Sequence, residues 1–138
     1  MGPALTYCGE RSRTMKKVLV FGIFNGVHKG HVSFFRHAKK HGDFLIVAVG
    51  QASASRKFKN KIPKFSLKDR IKFVREIKYV DRAIPGDIEQ GTYKVIIREK
   101  PDIICLGWDQ QELGKDLRRW LKEKNLKIAL KYILKFAK

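Results

Sequence analysis

Residues 18–31, which read VLVFGIFNGVHKGH, constrain the fold of this chain more than any other stretch. The first four residues are apolar, as in a strand that is buried on both faces of a parallel sheet. Three glycines follow, and glycine lets the backbone approach a ligand where a side chain would block it. The stretch therefore predicts a strand, a turn of a size that suits phosphate, and the start of a helix.

Two histidines, His28 and His31, close this turn. Val32, Phe35 and Ala38 or Lys39 then recur at helical spacing, which predicts a helix from His31. Phosphate is favoured at such a place by free N–H groups and by the positive end of the helix dipole. Two imidazoles on one helix face could donate hydrogen bonds to a phosphoryl group that gains charge in a transition state. The alternative is an ordinary loop histidine followed by an ordinary helix-start histidine.

The length of 138 residues suits a single domain. Residues 1–14 show no periodicity and are treated as an N-terminal extension to a domain over residues 15–138. The apolar runs fall short of the roughly 20 residues that span a bilayer, and charged residues interrupt the N-terminus where a secretory signal would be apolar. Cys8 and Cys105 are expected to be free thiols, which favours a cytoplasmic protein.

The chain is strongly basic, with 31 Lys and Arg against 13 Asp and Glu and a net charge of +18. A positive net charge of this size attracts polyanions, which here could be nucleotides, nucleic acid or a membrane surface. Phe58 and Phe65 lie between lysines, as aromatic platforms for nucleic-acid bases do. The charge is dispersed along the chain, however, so we expect neither nucleic acid nor a membrane as partner. Binding that collapses with salt and ignores small nucleotides would identify a nucleic-acid-binding protein.

Strands and helices alternate after the first motif. Strands are predicted at 44–50, 81–84, 103–106 and 127–134, and helices from Ser66, at 92–100 and at 111–124. Ser66 and Asp69 have the spacing of a capping box. The alternation predicts an α/β, Rossmann-like, doubly wound parallel sheet of about five strands. Ligands of such sheets bind at the carboxyl ends of the strands, where the loops 22–31, 51–65 and 107–111 would open.

The turn resembles the HxGH signature of the nucleotidyltransferase superfamily, which reads close to GTFDxxHxGH in the cytidylyltransferase-like branch. Here the segment is Gly22-Ile23-Phe24-Asn25-Gly26-Val27-His28-Lys29-Gly30-His31. It departs from the pattern at Ile23, where a small hydroxyl residue is usual, and at Asn25, where aspartate is usual. The sequence LGWDQ at 106–110 is similar to the LGxDQ segment of archaeal FAD synthases. The resemblance covers about residues 16–127.

This resemblance implies transfer of AMP or CMP from ATP or CTP to an alcohol phosphate, such as FMN or glycerol 3-phosphate, with release of pyrophosphate. It implies three catalytic residues, His28, His31 and Arg70, the last facing the phosphates. Nucleotide contacts are implied for both histidines and for Gly22, Ile23, Phe24, Lys29, Gly30, Lys57, Lys59, Gly107, Asp109 and Gln110. Asp109 could also serve as a helix N-cap.

Mg²⁺ is expected to bridge the phosphates of the nucleotide, because the sequence has no carboxylate cluster to build a protein cage. LGWDQ favours ATP, although the general pattern suits CTP equally well. A homodimer is a further expectation. Members of the branch also carry a Ser/Thr-containing segment after the fifth strand that contacts the phosphates. No Ser or Thr follows Thr92 here, so a catalytically impaired nucleotide-binding protein is the alternative function.

Overall fold

A computed structural model describes residues 15–27, 29–51, 64–88 and 91–133. The strands in these ranges are β1 (Lys17–Gly22), β2 (Phe44–Val49), β3 (Arg82–Pro85), β4 (Ile103–Gly107) and β5 (Ala129–Ile133). The helices are α1 (Lys29–Lys39), α2 (Leu67–Arg75), α3 (Lys94–Glu99) and α4 (Gln111–Glu123). The extension predicted at 1–14 lies outside the described residues, and so does Cys8.

The five strands form one parallel sheet in the order β3-β2-β1-β4-β5. Strand β1 lies at the centre, with Val20 beside Val47 of β2 on one side and beside Cys105 of β4 on the other. Along the chain, β2 and β3 are added on one side of β1, and β4 and β5 are then added on the other side. The predicted doubly wound α/β sheet is therefore confirmed, and its topological switch point lies between the carboxyl ends of β1 and β4.

Alternate residues of the strands face two separate hydrophobic layers, as expected for a sheet covered on both sides. One layer packs under α1 and α2 and includes Val18, Val20, Phe35, Val47, Val74 and Cys105. The other packs under α3 and α4 and includes Leu19, Ile46, Ile84, Ile96, Ile104 and Leu117. The sheet is thus buried on both faces, and loops form its carboxyl edge.

Three aspartates fasten the opposite, amino-terminal edge in the same way. Each carboxylate accepts the backbone N–H of a residue at the start of a neighbouring strand, while the backbone N–H of the aspartate donates to the carbonyl of that residue. The pairs are Asp43 with Lys16, Asp81 with Leu45 and Asp102 with Lys17. These reciprocal bonds set the relative height of the strands and therefore of the loops at their far ends.

The helix boundaries differ slightly from those predicted. Ser66 caps α2 as expected, since its hydroxyl accepts the N–H of Asp69 at 3.1 Å. The helix predicted from residue 92 begins at Lys94, because Tyr93 has a left-handed φ of 49° and its buried ring packs against Trp120. Within the described part of the chain, none of the helices is both long and apolar enough to cross a membrane.

Candidate active site

The turn after β1 is shaped by the packing of Phe24 on Gly22. Phe24 is buried and has a left-handed φ of 52°, which folds its ring back over the end of the strand. A Cβ added at Gly22 would lie 2.4 Å from that ring, so glycine is required there. Gly26, with φ of 105°, then turns the chain toward α1 in a conformation that other residues rarely adopt.

His31 lies in the first turn of α1 and is half-buried. Its ring meets the edge of Phe24, with centroids 5.3 Å apart, and Phe24 in turn packs on Phe35. The first turn of α1 contains no acidic residue and exposes Lys29 and Gly30, so its positive dipole end is not neutralised from within the helix. This is the environment that favours an anion. His28 lies outside the described residues.

Gln110 joins the end of β1, where this turn starts, to the end of β4. Its side-chain carbonyl accepts the N–H of Gly107 at 2.8 Å, and its side-chain NH₂ donates to the carbonyl of Phe21 at 2.9 Å. The side chain thereby ties the end of β4 to the end of β1 at the switch point. The structure brings the loops 22–31 and 107–110 together, as their positions in the sequence predicted, while the nucleotide contact of Gln110 itself stays a prediction.

Asp109 is exposed in the same loop, and its carboxylate lies over Gly107, 3.0 Å from where a Cβ would be. The N-cap position of α4 is held by Gln110, without a side-chain cap bond, rather than by Asp109. The alternative in which Asp109 caps the helix is therefore wrong. The carboxylate faces solvent at the switch point, where a nucleotide could be recognised.

Arg70, on α2, is almost completely buried, with 1% of its surface exposed. Its guanidinium donates to the backbone carbonyls of Ile23, Gly50 and Phe65. Burial lowers the pKa of this guanidinium from its usual value. The resemblance implied a phosphate contact for Arg70, which these contacts do not test. The bonds to carbonyls join segments far apart in the sequence, and no sequence pattern signals them.

Asn25, which departs from the family pattern in the sequence, is a further functional candidate in the structure. Its side-chain oxygen accepts the N–H of Lys64 at 2.7 Å and that of Phe65 at 3.1 Å. An aspartate at this position could accept the same two bonds. The usable signal was the residue type itself, because asparagine keeps the acceptor oxygen that an aspartate supplies.

Ile23, the second departure, packs against the end of β2. A Cβ added at Gly50 would lie 2.5 Å from the Ile23 side chain, and the N–H of Gly50 donates to the carbonyl of Gly22 at 2.7 Å. The β1 and β2 ends are thus closely joined. The basic segment that follows, with the predicted ligands Lys57 and Lys59, lies outside the described residues.

Within the ranges that the structure describes, His, Cys, Asp and Glu side chains form no group of three or more that could hold a metal ion. The donor set at the switch point consists instead of imidazole, amide and backbone N–H groups, with Asp109 as a carboxylate. Such donors suit an anionic ligand better than a bare divalent cation.

Known proteins that are similar to this chain match it over most of its length. A family model described as cytidylyltransferase-like matches residues 19–136. The FAD synthase of Thermoplasma acidophilum is 42% identical over 109 residues, which cover 79% of this chain and 75% of that protein. The FAD synthase of Pyrococcus horikoshii is 38% identical over 114 residues, covering 83% of this chain and 77% of that protein.

Two solved structures are similar in fold. A crystal structure from Thermoplasma volcanium, described as a lipopolysaccharide core biosynthesis protein, has a TM-score of 0.82 and 35% identity, and covers 89% of this chain and 99% of its own. Pantoate-beta-alanine ligase from Francisella tularensis has a TM-score of 0.64 and 14% identity, over 87% of this chain and 59% of its own. The second likeness concerns the fold alone.

Proposed function

Because this chain belongs to the cytidylyltransferase-like family and is a nucleotidyltransferase, we propose that it transfers AMP from ATP to FMN and so forms FAD and pyrophosphate. The observation that carries the proposal is that the loops 22–31 and 107–110 start from neighbouring strand ends at the switch point, where Gln110 joins Gly107 at the end of β4 to Phe21 at the end of β1. The choice of ATP and FMN rests on the relatives that are named FAD synthases.

In this reaction a phosphate oxygen of FMN attacks the α-phosphorus of ATP. The new P–O bond becomes part of the diphosphate bridge of FAD, and the bond from the α-phosphorus to the oxygen shared with the β-phosphorus breaks, so that pyrophosphate leaves. No covalent enzyme intermediate is needed. The protein therefore contributes by positioning the two phosphates and by stabilising the charge that develops between them.

His31 is the described residue that we assign to the α-phosphoryl group, because it lies at the positive end of α1 and is held by Phe24. We assign the same role to His28, three residues earlier. The backbone of 22–24 and of Gly30 would offer N–H groups to the phosphates, and Lys29, Lys57 and Lys59 would neutralise the leaving pyrophosphate. Asp109 would recognise the nucleoside from the opposite side of the switch point.

Mg²⁺ would arrive as the counter-ion of ATP, held by phosphate oxygens, which matches the anion-binding donors described above. It would supply positive charge to the phosphates. The part played by the chain is to present hydrogen-bond donors to the remaining phosphate oxygens.

A donor and acceptor panel tests the proposal. The chain is incubated with Mg²⁺ and either ATP or CTP, in combination with FMN or glycerol 3-phosphate, and the products are identified by mass spectrometry. We expect FAD from ATP and FMN in amounts well above those of any product from the other three mixtures. Preferential formation of a CMP adduct would assign a different donor, and tight ATP binding without any product would favour the nucleotide-binding protein without turnover.

A further inference from the structure

Three backbone carbonyls converge on the Arg70 side chain at the carboxyl edge of the sheet. Nη1 donates to the carbonyl of Ile23 at 2.9 Å and to that of Gly50 at 2.6 Å, and Nε donates to that of Phe65 at 3.0 Å. Ile23 directly follows β1, Gly50 directly follows β2, and Phe65 precedes the N-cap of α2. One guanidinium therefore joins three segments that are distant in the sequence.

The geometry suits arginine rather than lysine. Three carbonyl dipoles that point at one place repel each other unless a positive donor lies between them, and the planar guanidinium offers N–H groups in several fixed directions. An ammonium group is a compact donor with a different reach. The backbone of Phe65 is held through its N–H as well, which donates to the side-chain oxygen of Asn25 at 3.1 Å.

We propose that Arg70 is a positioning residue, which fixes the turn that leads from β1 to α1 and His31 relative to the end of β2 and the start of α2, without contacting the phosphates. This inference deepens the proposed function and rests on it where turnover is concerned. With 1% of its surface exposed, the side chain has almost no area left for a ligand. The three carbonyls take up the N–H groups of Nε and Nη1, so a phosphate could reach these groups only by displacing backbone carbonyls, which would then be buried without a partner.

Chemical modification of the unaltered chain gives the first test. The folded protein is treated with phenylglyoxal, with and without ATP and Mg²⁺, and each arginine is followed by peptide mass spectrometry. Arg75 lies on the same helix and is exposed, so it serves as the internal control. We expect Arg75 to react and Arg70 to stay unmodified in both samples. Reaction of Arg70, whether or not ATP protects it, would overturn the proposal.

The second test compares Arg70→Lys with the matched control Arg75→Lys. Equilibrium affinities for AMP and for ATP are measured for both variants, together with the rate of FAD formation. A positioning residue acts on the whole turn, so Arg70→Lys should weaken AMP and ATP binding by the same factor and lower turnover about tenfold or more. Arg75→Lys should behave like the parent.

A phosphate-binding arginine gives a different result. Loss of ATP affinity with unchanged AMP affinity in Arg70→Lys would overturn the proposal, and so would parental affinities and turnover. If the parent forms no FAD, the proposed function fails, but the ratio of the AMP and ATP effects and the modification pattern still decide the role of Arg70. If Arg70→Lys does not fold, the modification experiment on the unaltered chain decides it.

Discussion

The Phe24 ring meets the His31 imidazole edge-on, with ring planes at 79° and centroids 5.3 Å apart. Phe24 adopts a left-handed backbone conformation that non-glycine residues seldom occupy, and it does so over a glycine that leaves room for its ring. The cost of that conformation is offset by burial of the ring against Phe35. The His31 ring is thus in contact with an aromatic residue of the turn that precedes α1.

Replacing Phe24 by leucine keeps an apolar side chain but removes this contact. We expect Phe24→Leu to lower the free energy of unfolding by about 1 kcal/mol, and to lower turnover by about tenfold or more because His31 loses its fixed orientation. Phe34→Leu is the matched control, since Phe34 also packs against Phe35. Urea unfolding and FAD formation are measured for both variants. Parental turnover in Phe24→Leu would show that the ring does not orient His31.

Asn25 offers a test of the departure from the family pattern. Asn25→Asp keeps an oxygen that can accept the N–H groups of Lys64 and Phe65, whereas Asn25→Ala removes it. We expect the alanine variant to lose about 0.5–1.5 kcal/mol of stability and part of its turnover. The aspartate variant should match the parent in urea unfolding and in turnover. Equal damage from both substitutions would mean that the two hydrogen bonds are not what the position contributes.

The packing of α4 on β5 depends on a helical glycine. A Cβ added at Gly114 would lie 1.9 Å from the Tyr132 hydroxyl and 2.9 Å from the ring carbon that bears it. Gly114→Ala is therefore expected to lower the free energy of unfolding by about 1–3 kcal/mol, despite the better helix propensity of alanine. Adding Tyr132→Phe should restore part of the loss, and Lys115→Ala, at an exposed neighbour, should cost little. If the double variant is no more stable than Gly114→Ala, another contact is responsible.

Because the thiol of Cys105 is buried, we expect the free energy of unfolding to fall at alkaline pH. Burial raises its pKa from 9.0 to about 12. Between these values the folded protein keeps a proton that the unfolded chain releases, so the free energy of unfolding falls as pH rises, by about 1 kcal/mol up to pH 10. Burial and the hydrogen bond to Asp116 also raise the pKa of Tyr93, which adds a loss in the same direction at higher pH.

Cys105→Ala isolates the contribution of the thiol. Urea unfolding at pH 7.5 and pH 10 should show a smaller decrease in stability for Cys105→Ala than for the parent, although the variant is less stable at neutral pH because it lacks the buried sulfur. The same decrease in both proteins would contradict the assignment to Cys105.

The sequence was sufficient to predict the sheet because its central strands are buried on both faces. Short apolar runs such as 18–21 and 44–49 are typical of strands buried in a parallel sheet. The glycine that follows each run marks the carboxyl edge of that sheet. The start of α3 was less predictable, since it depends on the left-handed conformation that packing imposes on Tyr93. The contacts of Arg70 and Asn25 were not predictable either, because each joins backbone atoms of segments that only the tertiary fold brings together.

The most direct test of the proposed site is the turnover of His31→Ala with ATP and FMN, compared with ATP affinity in the same variant. Donors that act mainly on charge appearing in the transition state should affect rate more than binding. We expect FAD formation to fall on the order of a hundredfold, with little change in ATP affinity, while His41→Ala, in the turn after α1, behaves like the parent. Equal turnover in His31→Ala and the parent would contradict the assignment of the catalytic centre to the end of β1 and the start of α1.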